Sequence, residues 1–326
     1  MDGAPEKQWR RDAIWSVIVL VAAISFLLDF SANVYHTITG EGGGEVQPPE
    51  LTGEYVRIIT MVLAGGALLL LGYATAMIMG AGLFRKAETE PPPWNLWDVA
   101  RAAAASYLGS SALAYAILAV AGLIGEGRSA VDASKANAII VYTLVLHLMI
   151  FALAVGFAGV RGGSAQSMGF TRQHWFRNLL HGVFGWLAVL PVFYGVAALV
   201  IWALNALGIE PRYNPVYPAL KQAAQPWLKW LVIIIVSLIG PVTEEVFFRG
   251  FLYPALRRRL PVVAAIVLNG LLFALIHQSI SDILPILVLG MAMAYLFEKT
   301  NSIVSCSVFH VCHNTSQMAI FLLMMK

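Results

Sequence analysis

The sequence predicts an all-α membrane protein, a polytopic bundle of about eight or nine transmembrane helices. Three observations predict it. Hydrophobic residues make up 59% of the 326 and charged residues only 12%, where an average soluble domain carries about 25% charged residues. Mean hydropathy is +0.74. The apolar runs are continuous rather than alternating, which fits spanning helices and not a β-barrel. The lipid bilayer is therefore an expected partner. A net charge of +3 is too small to argue for nucleic acid.

A spanning helix needs roughly 17–25 apolar residues. Nine runs qualify or come close: 14–38, 56–84, 101–124, 138–160, 179–207, 227–257, 261–278, 283–298 and 302–324. The run at 283–298 is short, and 227–257 overshoots the membrane at its end. The first run follows a basic start, "KQWRRD", but no small-x-small cleavage site comes after it. It reads as a retained span, not a signal peptide.

Lys and Arg set the orientation. Lys7, Arg10, Arg11, Arg85, Lys86, Arg161, Arg172, Arg177 and Arg257–Arg259 fall on one side. With Arg101, Arg249 and Lys299, that side holds 14 of the 21 basic residues. The expectation is a multi-pass protein of the cell (inner) membrane with a cytoplasmic N-terminus.

Two loops stand out between spans. "GEGGGEVQPPELTGE" is acidic and rich in Gly and Pro, and "RKAETEPPPWNLWDVAR" is stiffened by proline. Trp94 and Trp97 in the second suit the headgroup level. Cys306 and Cys312, six apart in the last run, point in different directions on a helix. They indicate neither a disulfide nor an oxidising compartment.

Polar residues within the apolar runs are unevenly shared. The first half offers Asp29, read as reaching water, and His147, read as packing. The last third offers Glu244, Glu245, Arg249, Asn269, His277, His310, His313 and Asn314. On a helix Glu245 and Arg249 are i,i+4, in the favourable order, and neutralise each other. They are assigned a supporting role. Glu244 has no such partner. An ionisable side chain at mid-bilayer costs about 2.5–3.5 kcal/mol on insertion scales, so an unpaired one is a functional candidate.

Depth supports that candidate. With "RRRLP" as a helical hairpin turn, Glu244 lies roughly 20 Å and His277 roughly 24 Å from it, at 1.5 Å per residue. His310 and Asn314 lie roughly 12 and 18 Å into the last run. Phe273 and His277 share one helical stripe, as do His310 and Asn314. Pro241 removes a backbone bond one turn before Glu244.

This set suits hydrolysis. A carboxylate in an apolar cavity can act as general base and acid. With His277 it can hold and deprotonate a water that attacks a peptide carbonyl. Asn314 and His310 can donate to the oxyanion. No Ser or Cys sits in a nucleophile motif. Two His and a Glu are also a zinc set, in which case Glu244, His277 and His310 are the ligands, but no HExxH occurs.

"EEVFFR" (244–249), "FALIH" (273–277) and "HVCHN" (310–314) match Glu-Glu-x-x-x-Arg, Phe-x-x-x-His and His-x-x-x-Asn, in order. The chain thus resembles the CPBP family: CAAX prenyl endopeptidases of the Ras-converting type and their bacterial relatives. The resemblance covers roughly Gly169–Lys326. It implies an intramembrane endopeptidase acting on a membrane-associated protein or peptide. Glu244 and His277 would activate the water, His310 and Asn314 would hold the oxyanion, and Glu245, Arg249 and Phe273 would support them. It also implies a division into a four-span N-terminal extension of unassigned role, 1–165, and a protease core, 166–326. Members of the family have been described both as glutamate-dependent and as metalloproteases; the metal-free version is the expectation here. Two further classes stay open: a non-proteolytic scaffold of the same fold and a proton- or ion-coupled transporter.

Overall fold

A computed structural model describes residues 4–39, 91–124, 128–171, 174–210, 220 and 225–324. The expected span 56–84 and the loop "GEGGGEVQPPELTGE" lie outside the described residues. The rest is helical, with no strand among the described residues. The helices are α1 (Ala4–Thr39), α2 (Leu96–Ile124), α3 (Arg128–Val160) and α4 (Trp175–Ala206). They continue as α5 (Pro226–Arg257), α6 (Val262–Leu275), α7 (Ile283–Thr300) and α8 (Ile303–Met324).

Four of them are long and apolar enough to cross a membrane: Ile139–Val160 within α3, then α4, α5 and α7. Ile14–Asp29 and α6 are apolar but shorter. Leu20, Leu27, Leu199, Trp202 and Val263 point outward and are exposed. An apolar exterior of this kind is what a lipid-facing bundle needs. The protein is an all-α membrane bundle.

α5 is the centre. Half of its apolar window is buried, more than in α3, α4 or α7. It touches α3, α6 and α8, while α2 packs on α3, and α4 packs on α7 and α8. One aromatic core joins both ends of the chain. Trp94, Val99, Ala102, Ala154 and Ala158 pack with Phe247, Phe251, Phe273, Phe297 and Phe309. Trp94, placed at the headgroups by the sequence, is instead fully buried and donates from Nε1 to the Phe251 carbonyl at 2.8 Å. Asp29 is exposed, as expected, and accepts a hydrogen bond from the Tyr107 hydroxyl.

α5 is not uniformly α-helical. Ile235–Ile239 and Val246–Leu252 are π-helical turns, on either side of Gly240–Glu245. π-Turns widen a helix and are frequent at functional sites. The first has a local cause. Gly240 N–H bonds back to Ile235 O, so the next donor in that register would be residue 241, and Pro241 has no N–H. The carbonyl left over, Val236 O, accepts from Asn314 Nδ2 at 2.9 Å.

α6 and α7 cross closely at two glycines. A Cβ on Gly290 would lie 2.9 Å from Gly270 Cα, inside contact distance. The close crossing delivers the Gly290 carbonyl to Arg249, whose Nη2 donates to it at 2.9 Å.

Candidate active site

The two adjacent glutamates have different surroundings. Glu245 is fully buried and pairs with Arg249 Nη1 at 2.7 Å. Arg249 is also fully buried, and its guanidinium lies over the Phe273 ring at 4.6 Å. The sequence expectation for this pair holds in geometry: one turn of helix, one mutually neutralised pair. Glu244 points elsewhere. Its oxygens meet two imidazoles, His147 Nε2 at 3.8 Å and His310 Nε2 at 3.9 Å.

His310 stands between the glutamates. Its Nδ1 lies 2.9 Å from Glu245 Oε1 and its Nε2 faces Glu244 Oε2. Phe273 is the shared wall. His310 meets its ring edge-on at 5.5 Å, and His277 meets it at 5.0 Å. Both imidazoles are thus held against one aromatic side chain.

His277 departs in one respect from the stripe drawn for it. α6 ends at Leu275, and His277 lies in the turn beyond it. Its Nδ1 donates to the Phe273 carbonyl at 2.9 Å, one of the carbonyls a helix end leaves open. A helix of 14 residues rises roughly 21 Å, less than the hydrocarbon thickness of about 30 Å. Irregular backbone at that depth is tolerated where it is buried in protein or lines a water-filled cavity. The groups within 4 Å of Glu244 are His147 and His310 rather than His277.

Asn314 is on α8, one turn after His310, with one amide hydrogen committed to Val236 O. His313 is buried against the Phe193 ring at 4.6 Å, on the flank. Asn269 donates to the Phe248 carbonyl at 2.9 Å inside the second π-turn and serves the backbone. His147, read in the sequence as packing, lies beside Glu244, and Thr243 lies beside His147. A depth signal was available: His147 lies thirteen residues before the end of α3, as Glu244 does before the end of α5.

Imidazole and carboxylate are the donor types zinc takes. Among the described residues, however, no three His, Cys, Asp or Glu side chains are arranged to hold a metal ion.

Residues 226–316 match the family model of the type II CAAX prenyl endopeptidase Rce1-like proteins. The match supports the resemblance of those residues to CPBP-family intramembrane proteases. The matched stretch runs from the start of α5 into α8 and contains Glu244, Glu245, Arg249, Phe273, His277, His310 and Asn314. Similarity to that family supports CAAX-type membrane protease activity in general terms. No curated protein and no solved structure matches the chain.

Proposed function

We propose that the CPBP core hydrolyses a peptide bond of a membrane-associated protein or peptide, with Glu244 as general base on an attacking water. The observation that carries this is the asymmetry of the glutamates. Glu245 is neutralised by a guanidinium, whereas among the described residues the basic groups within 4 Å of Glu244 are the imidazoles of His147 and His310. A carboxylate whose basic neighbours are imidazoles, and not a permanently charged guanidinium, can take a proton and return it to the leaving amine.

His277 lines the same aromatic wall and binds the water with Glu244. Asn314 keeps one amide hydrogen for the oxyanion after serving Val236. His310 joins it as a donor in its doubly protonated form, because Nδ1–H is given to Glu245. Oxyanion donors of this kind are each worth about 2.7–4 kcal/mol in known hydrolases. The reaction is of the glutamate type. In this reading residues 1–165 form the N-terminal extension and 166–326 the core, in the cell membrane with the N-terminus inside.

The test is cleavage of an internally quenched, farnesylated CAAX peptide by the purified chain in lipid nanodiscs. Glu244→Ala and His277→Ala should each abolish cleavage while the fold persists. Full activity in both folded variants would sink the assignment.

A further inference from the structure

One side of Glu244 is not accounted for by the family motifs. Its Oε1 faces His147 Nε2 at 3.8 Å. His147 is on α3, buried, and outside the matched residues 226–316.

The neighbours of His147 favour one tautomer. Nδ1 lies 3.1 Å from the Thr243 hydroxyl. That hydroxyl also lies 2.9 Å from the Ile239 carbonyl and 3.0 Å from the Gly240 carbonyl. Carbonyls only accept, and a Thr in a helix commonly gives its single hydroxyl proton to the carbonyl one turn before it, here Ile239 O. What remains for the imidazole is an oxygen lone pair. Nδ1–H therefore donates to Thr243, and Nε2 presents a lone pair to Glu244.

A lone pair facing a carboxylate oxygen is tolerated only with a proton between them, on the carboxyl group or on an intervening water. The backbone is shaped to allow this approach. A Cβ on Gly240 would come within 3.2 Å of His147 Nε2 and 3.0 Å of Ile235 O. Glycine at 240 lets the ring lie across the surface of α5 and reach the next turn.

We infer that His147 is a positioning residue for Glu244, supplied to the CPBP core by the N-terminal spans. Its Nε2 faces Oε1 across 3.8 Å, a span that a bridging water closes, and holds that oxygen toward α3. The opposite oxygen stays toward His310. The inference rests on the reading of Glu244 as the general base. It gives the N-terminal extension a part in the catalytic centre.

Two measurements on the full chain in nanodiscs test it. The first needs no substrate. Long-range proton–nitrogen spectra of histidine-labelled protein report the tautomer, with the His147 signals identified by their loss in His147→Gln. The Nδ1–H tautomer is expected, with an Nε2 shift that moves in Glu244→Gln. An Nε2–H tautomer, or an Nε2 shift indifferent to Glu244→Gln, overturns the inference whether or not any peptide is cleaved.

The second uses the farnesylated CAAX peptide. His147→Leu should lower kcat on the order of tenfold with KM little changed. His147→Gln, whose amide oxygen reaches near the Nε2 position, should restore most of that loss. Gly240→Ala should lower kcat in the same way. Equal loss in the Leu and Gln variants, with KM and thermal stability moving instead, would mark His147 as packing alone and overturn the inference. Absence of cleavage by the unmodified chain counts against the proposed function, and the spectroscopic result then decides the role of His147.

Discussion

The Nδ1 of His310 donates to Oε1 of Glu245 at 2.9 Å. The direction is set by chemistry: a carboxylate already paired with Arg249 has only acceptors to offer. One buried carboxylate oxygen thus serves a guanidinium on its own helix and an imidazole on α8. Glu245 positions His310 and keeps Arg249 neutralised, so it acts through its neighbours.

Glu245→Gln is therefore expected to destabilise the fold first. Removing one partner of a buried ion pair typically costs about 3–5 kcal/mol, because the other charge is left unpaired. Thermal unfolding in nanodiscs should show a large drop in Tm and a low yield. A variant with unchanged Tm and no activity would instead make Glu245 a direct participant in the reaction.

Glu244→Gln should behave in the opposite way. Its oxygens meet no guanidinium, and its side chain keeps 14% of its surface exposed. Tm should stay close to that of the unmodified chain. Cleavage should fall on the order of 10²–10⁴-fold, the usual worth of a general acid or base. Retained kcat would remove Glu244 from the chemistry.

Much of this was legible in the sequence, and the reasons are local. Continuous apolar runs announce spans regardless of tertiary detail. The i,i+4 spacing of Glu245 and Arg249 obliges them to share a face. What was not legible depends on breaks in helical register. His277 counts as a helical residue by spacing, yet α6 stops at Leu275. Nothing in "FALIHQSIS" forces a stop there. The second π-turn of α5 is equally silent, since a one-residue change of register leaves composition untouched, whereas the first has its sequence signal in Pro241. The approach of His147 to Glu244 is not local either, since its neighbour Thr243 lies 96 residues on.

The glycine crossing of α6 and α7 makes a prediction about geometry at a distance. Gly290→Ala places a methyl group 2.9 Å from Gly270 Cα and 3.2 Å from Phe273 Cδ1. Overpacking of this kind costs about 1–3 kcal/mol. The Gly290 carbonyl and Phe273 both hold Arg249, so activity should fall along with Tm. A fully active variant of normal Tm would show that the crossing has slack.

For metal dependence the expected result is that cleavage persists in strong chelator and that purified protein carries no stoichiometric zinc. The reason is the arrangement of donors: among the described residues no three His, Cys, Asp or Glu side chains converge to hold a metal ion. Chelator-sensitive cleavage with about one zinc per chain would overturn the glutamate-type reading.

The contact between Asn314 and Val236 can be separated from catalysis by a double-mutant cycle. Asn314→Ala leaves the Val236 carbonyl without its donor, at a cost of about 1–3 kcal/mol for a buried group. It also removes a proposed oxyanion donor. Pro241→Ala restores an N–H that can close on Val236 O in the existing π register, one residue after the Gly240–Ile235 bond. In the Pro241→Ala background the stability cost of Asn314→Ala should therefore shrink, and the two changes should couple by more than about 0.5 kcal/mol. The loss of kcat should not recover, because the restored donor is in the backbone of α5 and not on α8. Strict additivity in Tm would show that Pro241 is not what leaves Val236 to Asn314. Recovery of kcat together with stability would show that Asn314 acts only by holding α5.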